Sequence, residues 1–182
     1  MARTAFASVR AMSDSATDNS PAATASQPHP RFAEALAGLG LSVEVRRFPE
    51  ATRTAAEAAA AIGCDLAQIV KSLIFTVDGA PVLVLMDGAS RVDMERVRAE
   101  LGATKVRRAD ADLVRETTGY AIGGVPPFGH RTRTPVLADR GILAHPTVWA
   151  AAGTPHTVFP LDPRSLVAHA GARLVDVREQ TS

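Results

Sequence analysis

The chain has 182 residues, 46% of them hydrophobic, and a formal net charge of +1. That length supports one domain with a proper core, and so small a charge removes any global pull toward polyanions, leaving local basic patches as the only route to nucleic acid. The apolar runs fall far short of the roughly 20 residues that cross a bilayer, and the single cysteine, Cys64, makes neither an internal disulfide nor a thiolate metal site, so a cytoplasmic protein without a membrane partner is expected.

Residues 1–29 are rich in Ala, Ser, Thr, Asn, Gln and Pro and show no apolar period, which predicts a disordered extension in which Met12 is an alternative start. The folded domain is expected over residues 30–178, followed by a short tail at 179–182. Pro30 to Leu39 reads as a helix closed by Gly38 or Gly40, and Ser42 to Phe48 as a short alternating strand. Thr54-Ala-Ala-Glu57 has the form of a capping box, in which hydroxyl and carboxylate satisfy each other's exposed amides, and the alanine-rich helix it opens should stop at Gly63. A short helical turn follows from Asp65. Ile69 to Val77, a turn at Asp78-Gly79-Ala80 and Pro81 to Met86 form a β-hairpin by composition and turn chemistry. Ser90-x-x-Asp93 should cap a helix to Leu101, and Asp110 another ending at Gly119. Short strands are expected at Pro135–Ala138, Thr147–Ala150 and Thr157–Leu161, then a helix from Asp162-Pro163 to Gly171 and a strand at Arg173–Val177. Strands and helices interleave without a strict βαβ rhythm. The predicted class is therefore α/β, one domain around a mixed, curved, barrel-like sheet flanked by helices.

In the first hairpin strand Lys71 shares a face with Ile69, Leu73, Phe75 and Val77. A lysine there reaches the end of the sheet, pairs with an anion or loses its proton. The chain has 18 arginines and only two lysines, so a compact point charge at this position carries information. Downstream, "GYAIGGVPPFGH" (Gly119–His130) holds four glycines and two prolines in twelve residues. Glycine opens positive φ and lets a ligand approach the main chain, while proline fixes φ, so the stretch describes a shaped loop. From Lys105 to Arg133, six basic residues against three acidic ones give this region a local charge of +3.

Neither a Walker pattern nor a dinucleotide fingerprint fits the loop, so no cofactor is expected. The five histidines are at least 11 residues apart and never share a helix face at i, i+4, which argues against a metal. No serine sits in a nucleophile elbow, and Cys64 lies beside a predicted helix C-terminus, where the dipole opposes a thiolate.

Five segments in order, "TAAEAAAAIG", "QIVKSLIF" with Lys71, "GYAIGGVPPFG" with a G-x-x-x-P loop from Gly123 to Pro127, "TPVLAD" ending in Asp139, and "LVAHAGARLVDV", resemble the YbaK/ProX family, free-standing relatives of the editing domain of bacterial prolyl-tRNA synthetase. The resemblance spans roughly Pro30 to Val177. It implies a metal-independent aminoacyl-tRNA deacylase acting on tRNA of the proline type, or a related tRNA, that carries a small wrong amino acid. Lys71 would engage the phosphate and ribose of the terminal adenosine, and the main chain of Gly123 and Gly124 would hold that ribose beside the ester. A substrate ribose hydroxyl would assist the water. Val125, Pro126, Pro127, Gly129, Asp139, Gly153 and His156 complete the implied substrate-binding set. Pro126 stands where several relatives carry serine, so no hydroxyl is offered there. The implied partner is the acceptor end of aminoacyl-tRNA, not DNA, with a synthetase or an elongation factor as the further partner the resemblance allows. A non-catalytic module binding tRNA ends, a synthetase or a small ligand is the alternative on the same fold.

Overall fold

The sheet grows from the hairpin that the sequence marks most clearly. In the computed structural model, which describes residues 27–181, β2 (Ile69–Val77) and β3 (Ala80–Asp87) pair antiparallel from Val70↔Asp87 to Val77↔Ala80. Their two-residue turn has positive φ at both positions, 49° at Asp78 and 87° at Gly79, the type I′ form whose twist matches the strands. Asp78 holds that conformation because its carboxylate accepts the main-chain N–H groups of Thr104 and Lys105 at 2.8 to 3.1 Å.

Around this hairpin the strands run in the order β1 (Arg46–Arg47), β7 (Thr157–Leu161), β6 (Val148–Ala151), β2, β3, β5 (Val136–Asp139) and β8 (Arg173–Val175), with β4 (Val106–Arg108) pairing to the far part of β2. The β2/β6, β3/β5 and β5/β8 pairs are parallel and the others antiparallel, so the sheet is mixed as expected. Helices α1 (Pro30–Leu39), α2 (Ala55–Ile62), α3 (Met94–Leu101), α4 (Ala111–Thr118) and α5 (Pro163–Ala170) flank it. Phe32 and Leu36 of α1, Val114 of α4 and Leu166 of α5 cover one face together with Val70 and Ile74 of β2. Val97 of α3 packs on Phe75, Val82, Val84 and Met86, and Ala58 and Ala59 of α2 pack on Ile69, Trp149 and Val158.

Four local expectations change. The strand foreseen at Ser42–Phe48 narrows to Arg46–Arg47, which pair with β7, while Phe48 N–H donates to His156 C=O at 2.8 Å beyond the ladder. Glu57 reaches the N–H of Arg53 at 2.7 Å instead of that of Thr54, although Thr54 caps α2 by accepting from Glu57 N–H. The charged strand β4 and a 3₁₀ helix at Arg140–Ala144 have no counterpart in the sequence reading. The predicted disordered extension lies outside the described residues up to residue 26, but His29 belongs to the fold. Its N–H donates to Ala152 C=O at 3.1 Å, its Nδ1 accepts from Arg31 N–H, and its ring packs edge-on against Tyr120. No helix among the described residues is long and apolar enough to cross a membrane.

Candidate active site

Strand β2 is left without a partner along part of one edge. Strand β6 pairs with β2 only at Ile69 and Val70, and β4 pairs with it only from Phe75 to Val77, after Ala109 N–H has donated to Ile74 C=O at 3.1 Å. Between those two partners the edge of Lys71, Ser72 and Leu73 has no strand beside it. A cleft of about 400 Å³ opens over this edge, with Thr52 to Ala55, Ala58 and Trp149 on one side and Ile122, Gly123, Val125 and Val114 on the other.

The glycine and proline loop forms one wall and is braced from behind. Gly124 N–H donates to Ala121 C=O at 3.0 Å, closing a turn whose third residue, Gly123, has φ +90°, as a type II turn requires. Gly124 lies so close to Thr154 that a Cβ would fall 2.8 Å from its Cα. Tyr120 donates its hydroxyl to Gly129 C=O at 2.8 Å, and burial pushes this phenol up to about 12, so the donor persists at any physiological pH. The His130 Nε2 lies 2.7 Å from Pro126 C=O, and since a carbonyl only accepts, that nitrogen carries the proton. Burial holds the His130 imidazole below its ordinary pKa despite this bond. The loop is thus fixed at both ends and its middle.

Three cations line the cleft: Arg53, Lys71 and Arg108. No carboxylate lines it, and among the described residues none lies within ion-pair distance of these three. Lys71 is half-buried and donates its Nζ to the carbonyl of Ser90. Burial lowers its pKa, opposed by Asp87 and reinforced by Arg108 and Arg91. An anion entering the cleft would therefore meet cations that no internal carboxylate neutralises, Lys71 being held only by a neutral carbonyl.

Of the residues singled out from the sequence, Lys71, Gly123 and Val125 line the cleft, and Gly124 and Pro126 hold the loop's shape. Pro127 and Gly129 face away, into a second cavity of about 620 Å³ behind the loop. Gly153, at φ +102°, gives room to His29, whose Cβ lies 2.3 Å from where a glycine Cβ would be built. His156 is outside the cleft lining, with Nδ1 buried and without a protein partner, while its neighbours Pro155 and Thr157 do line it. Asp139 is not brought to the cleft. Only 1% exposed, it accepts from Gly141 N–H, Val177 N–H and the guanidinium of Arg178 at 2.6 to 3.0 Å. Burial alone would raise its pKa, but these bonds together hold it below the usual carboxylate range. Sequence reasoning missed Ser72, Arg53 and Arg108 as site residues. The local +3 charge from Lys105 to Arg133 was the available signal for Arg108.

The chain that carries this cleft is similar to known proteins over most of its length. The model of the aminoacyl-tRNA editing domain matches residues 49–168. The chain belongs to that family. It is 34% identical over 124 residues to the uncharacterized protein YwhH of Bacillus subtilis (strain 168), covering 68% of this chain and 78% of that one. A proline–tRNA ligase of Maridesulfovibrio salexigens is 32% identical over 90 residues, 50% of this chain but 15% of the ligase, so the likeness is to one part of that enzyme. Among solved structures, one described as a candidate trans-editing enzyme for prolyl tRNA synthetase superposes with a TM-score of 0.79 and 40% identity, over 85% of this chain and all of that one. A second, the hypothetical protein APE2540, gives 0.76 and 33% over 82% of this chain. The editing-domain fold expected from the five sequence segments is the one observed.

Proposed function

We propose that the protein is a trans-editing deacylase that hydrolyses the ester of mischarged tRNA, of the proline type or a related one, carrying a small wrong amino acid. The observation that carries this reading is the cleft: three cations without carboxylate partners set beside a rigid main-chain loop, in a chain of the editing-domain family. Lys71, with Arg53 and Arg108, receives the phosphates of the acceptor end, because point charges and forks left without a carboxylate partner match phosphate oxygens. The Gly123 main chain approaches the terminal ribose closely, since no Cβ stands in the way. Water attacks the ester carbonyl, the bond to the ribose oxygen breaks, and the leaving oxygen takes a proton to restore the tRNA hydroxyl. The protein supplies position and charge. No protein base is invoked, and the water is assisted by the neighbouring ribose hydroxyl of the substrate. The reaction needs no metal, and among the described residues no group of three or more His, Cys, Asp or Glu side chains is arranged to hold one.

The test is a panel of tRNAs charged with correct and incorrect amino acids, incubated with purified protein in the presence and absence of EDTA. Catalytic release of one small amino acid, unchanged by EDTA, is expected. Tight binding of the panel with no release would replace the enzyme with a binding module, and loss of turnover on chelation would overturn the metal-free mechanism.

A further inference from the structure

The bare edge at Ser72 has a direction. In an antiparallel strand the main-chain groups of successive residues point alternately to the two neighbours. Ile74 presents its carbonyl to Ala109 on the β4 side, and Val70 pairs with β6. Ser72, two residues from each, therefore turns both its N–H and its C=O into the gap. Its hydroxyl is buried and has no hydrogen-bond partner in the protein. Ser72 thus carries a main-chain donor, a main-chain acceptor and a hydroxyl that both donates and accepts, with no partner for them among the described residues. Unmet buried polar groups are costly unless a ligand completes them.

Resting on the deacylase reading above, we propose that Ser72 receives the aminoacyl group as a one-residue antiparallel β-bridge. The substrate's α-amine donates to Ser72 C=O, and Ser72 N–H donates to the ester carbonyl. An aminoacyl ester carries its amine and carbonyl on one α-carbon, the arrangement that a strand residue presents to a directly opposed partner. Two consequences follow from that geometry. The N–H bond to the ester carbonyl strengthens as that oxygen gains charge in the tetrahedral intermediate, so Ser72 acts as an oxyanion donor. Directly opposed residues also place their side chains on the same face. The side chain of an L-amino acid then points with Ser72 toward Val70, Ile74, Val114 and Val125, whereas that of a D-amino acid points toward Ala55 and Ala58 of α2. Closely packed valines on the L side admit a small group. The bridge therefore reads both size and handedness.

The experiment uses the L-aminoacyl-tRNA that turns over fastest in the panel, and the same tRNA charged with the D-enantiomer. Wild-type protein should prefer the L form by at least about 100-fold in single turnover. Ser72→Pro deletes the N–H, which the ladder does not use, and proline is tolerated where a strand N–H faces away from its partner. This variant should lose about 100-fold or more in rate with a cooperative melting transition retained, the loss typical of a removed oxyanion donor. Ser72→Ala keeps both main-chain groups and should lose only about tenfold. A folded Ser72→Pro protein with wild-type turnover, or equal hydrolysis of the two enantiomers, overturns the bridge while leaving the deacylase standing. Should Ser72→Pro fail to fold, the enantiomer ratio decides alone. A wild-type protein inert on every charged tRNA overturns the deacylase reading and the bridge with it.

Discussion

Two clusters of charge meet near the open end of the β2–β3 hairpin, where Lys71 pairs with Met86 beside Asp87, and they are built on opposite rules. At the end of the sheet where β5 and β8 meet, Arg178 lies between Asp139 and Asp87 at 2.6 and 3.1 Å, with both carboxylates at most 4% exposed. Gly141 leaves the guanidinium its space, since a Cβ there would fall 1.2 Å from Nη2. Every charge in that knot is answered within the chain. In the cleft, Arg53, Lys71 and Arg108 face a space with no carboxylate at all. A closed network holds the fold together, and an open one is available to something from outside. The same residue types thus mean different things according to whether the chain itself completes them.

The largest effect that would break this contrast is at Lys71. Lys71→Met should reduce single-turnover deacylation about a thousandfold, the range for deleting one member of a desolvated charge pair. It should not lower the melting temperature. Because burial depresses the lysine's folded pKa, its charge costs stability below that pKa, and the cost is relieved as pH rises through it. Removing the charge at neutral pH therefore leaves stability equal or higher, and a strongly destabilised Lys71→Met would place this lysine in the closed class.

Asp139→Ala tests the other cluster and should do the reverse. Breaking a buried, hydrogen-bonded ion pair costs about 3 kcal/mol, measured by denaturant titration, while the folded fraction keeps its turnover. Loss of rate without loss of stability would return Asp139 to the substrate-binding set.

The loop sharpens the comparison with a smaller pair of changes. Gly124→Val drives a side chain into the Thr154 main chain and should cost stability first. Gly123→Val meets only Pro155, at 3.8 Å, so its side chain fits but demands a strained φ, about 1 kcal/mol, and covers the cleft wall. Melting curves and single-turnover rates on both variants should therefore separate a structural glycine from a ligand-facing one. The smallest effect concerns His130. Its folded pKa is depressed by burial, so the unfolded chain binds the proton first and stability falls as pH drops below about 6.5. His130→Asn should flatten the melting temperature between pH 7 and 5, and an unchanged slope would remove His130 from the bracing of the loop.

Much of this was legible in the sequence because it rests on local rules. Caps at Asp93, Asp110 and Asp162, the Asp78-Gly79 turn and the helix stops are set within a few residues, and each is where the side chains demand it. Lys71 and Gly123 were also visible, one as a cation on a strand and the other as a loop glycine. What could not be read is what depends on distant partners. The stretch Val106–Arg108 is too short and too charged to look like a strand, and becomes one only by pairing with β2. Asp139 closes on Arg178, 39 residues away, so a motif-bearing carboxylate turns out to serve the fold. Ser72 is ordinary in the sequence. The role proposed for it comes from where β6 stops and β4 begins, which no local pattern states.

The broken edge of β2 has a further consequence for the life of the protein in a crowded solution. Unpaired strand edges are templates on which other chains assemble, and proteins with long flat edges aggregate. Here the unpaired stretch is confined to Lys71–Leu73, walled by β6 on one side and β4 on the other. Strands that add to sheets are typically about five or six residues long, so a gap of three residues is a poor template for a neighbouring molecule, and the arginines and lysine of the cleft repel a second copy. The molecule leaves a short run of unpaired main chain open to small guests while offering little purchase to its own kind.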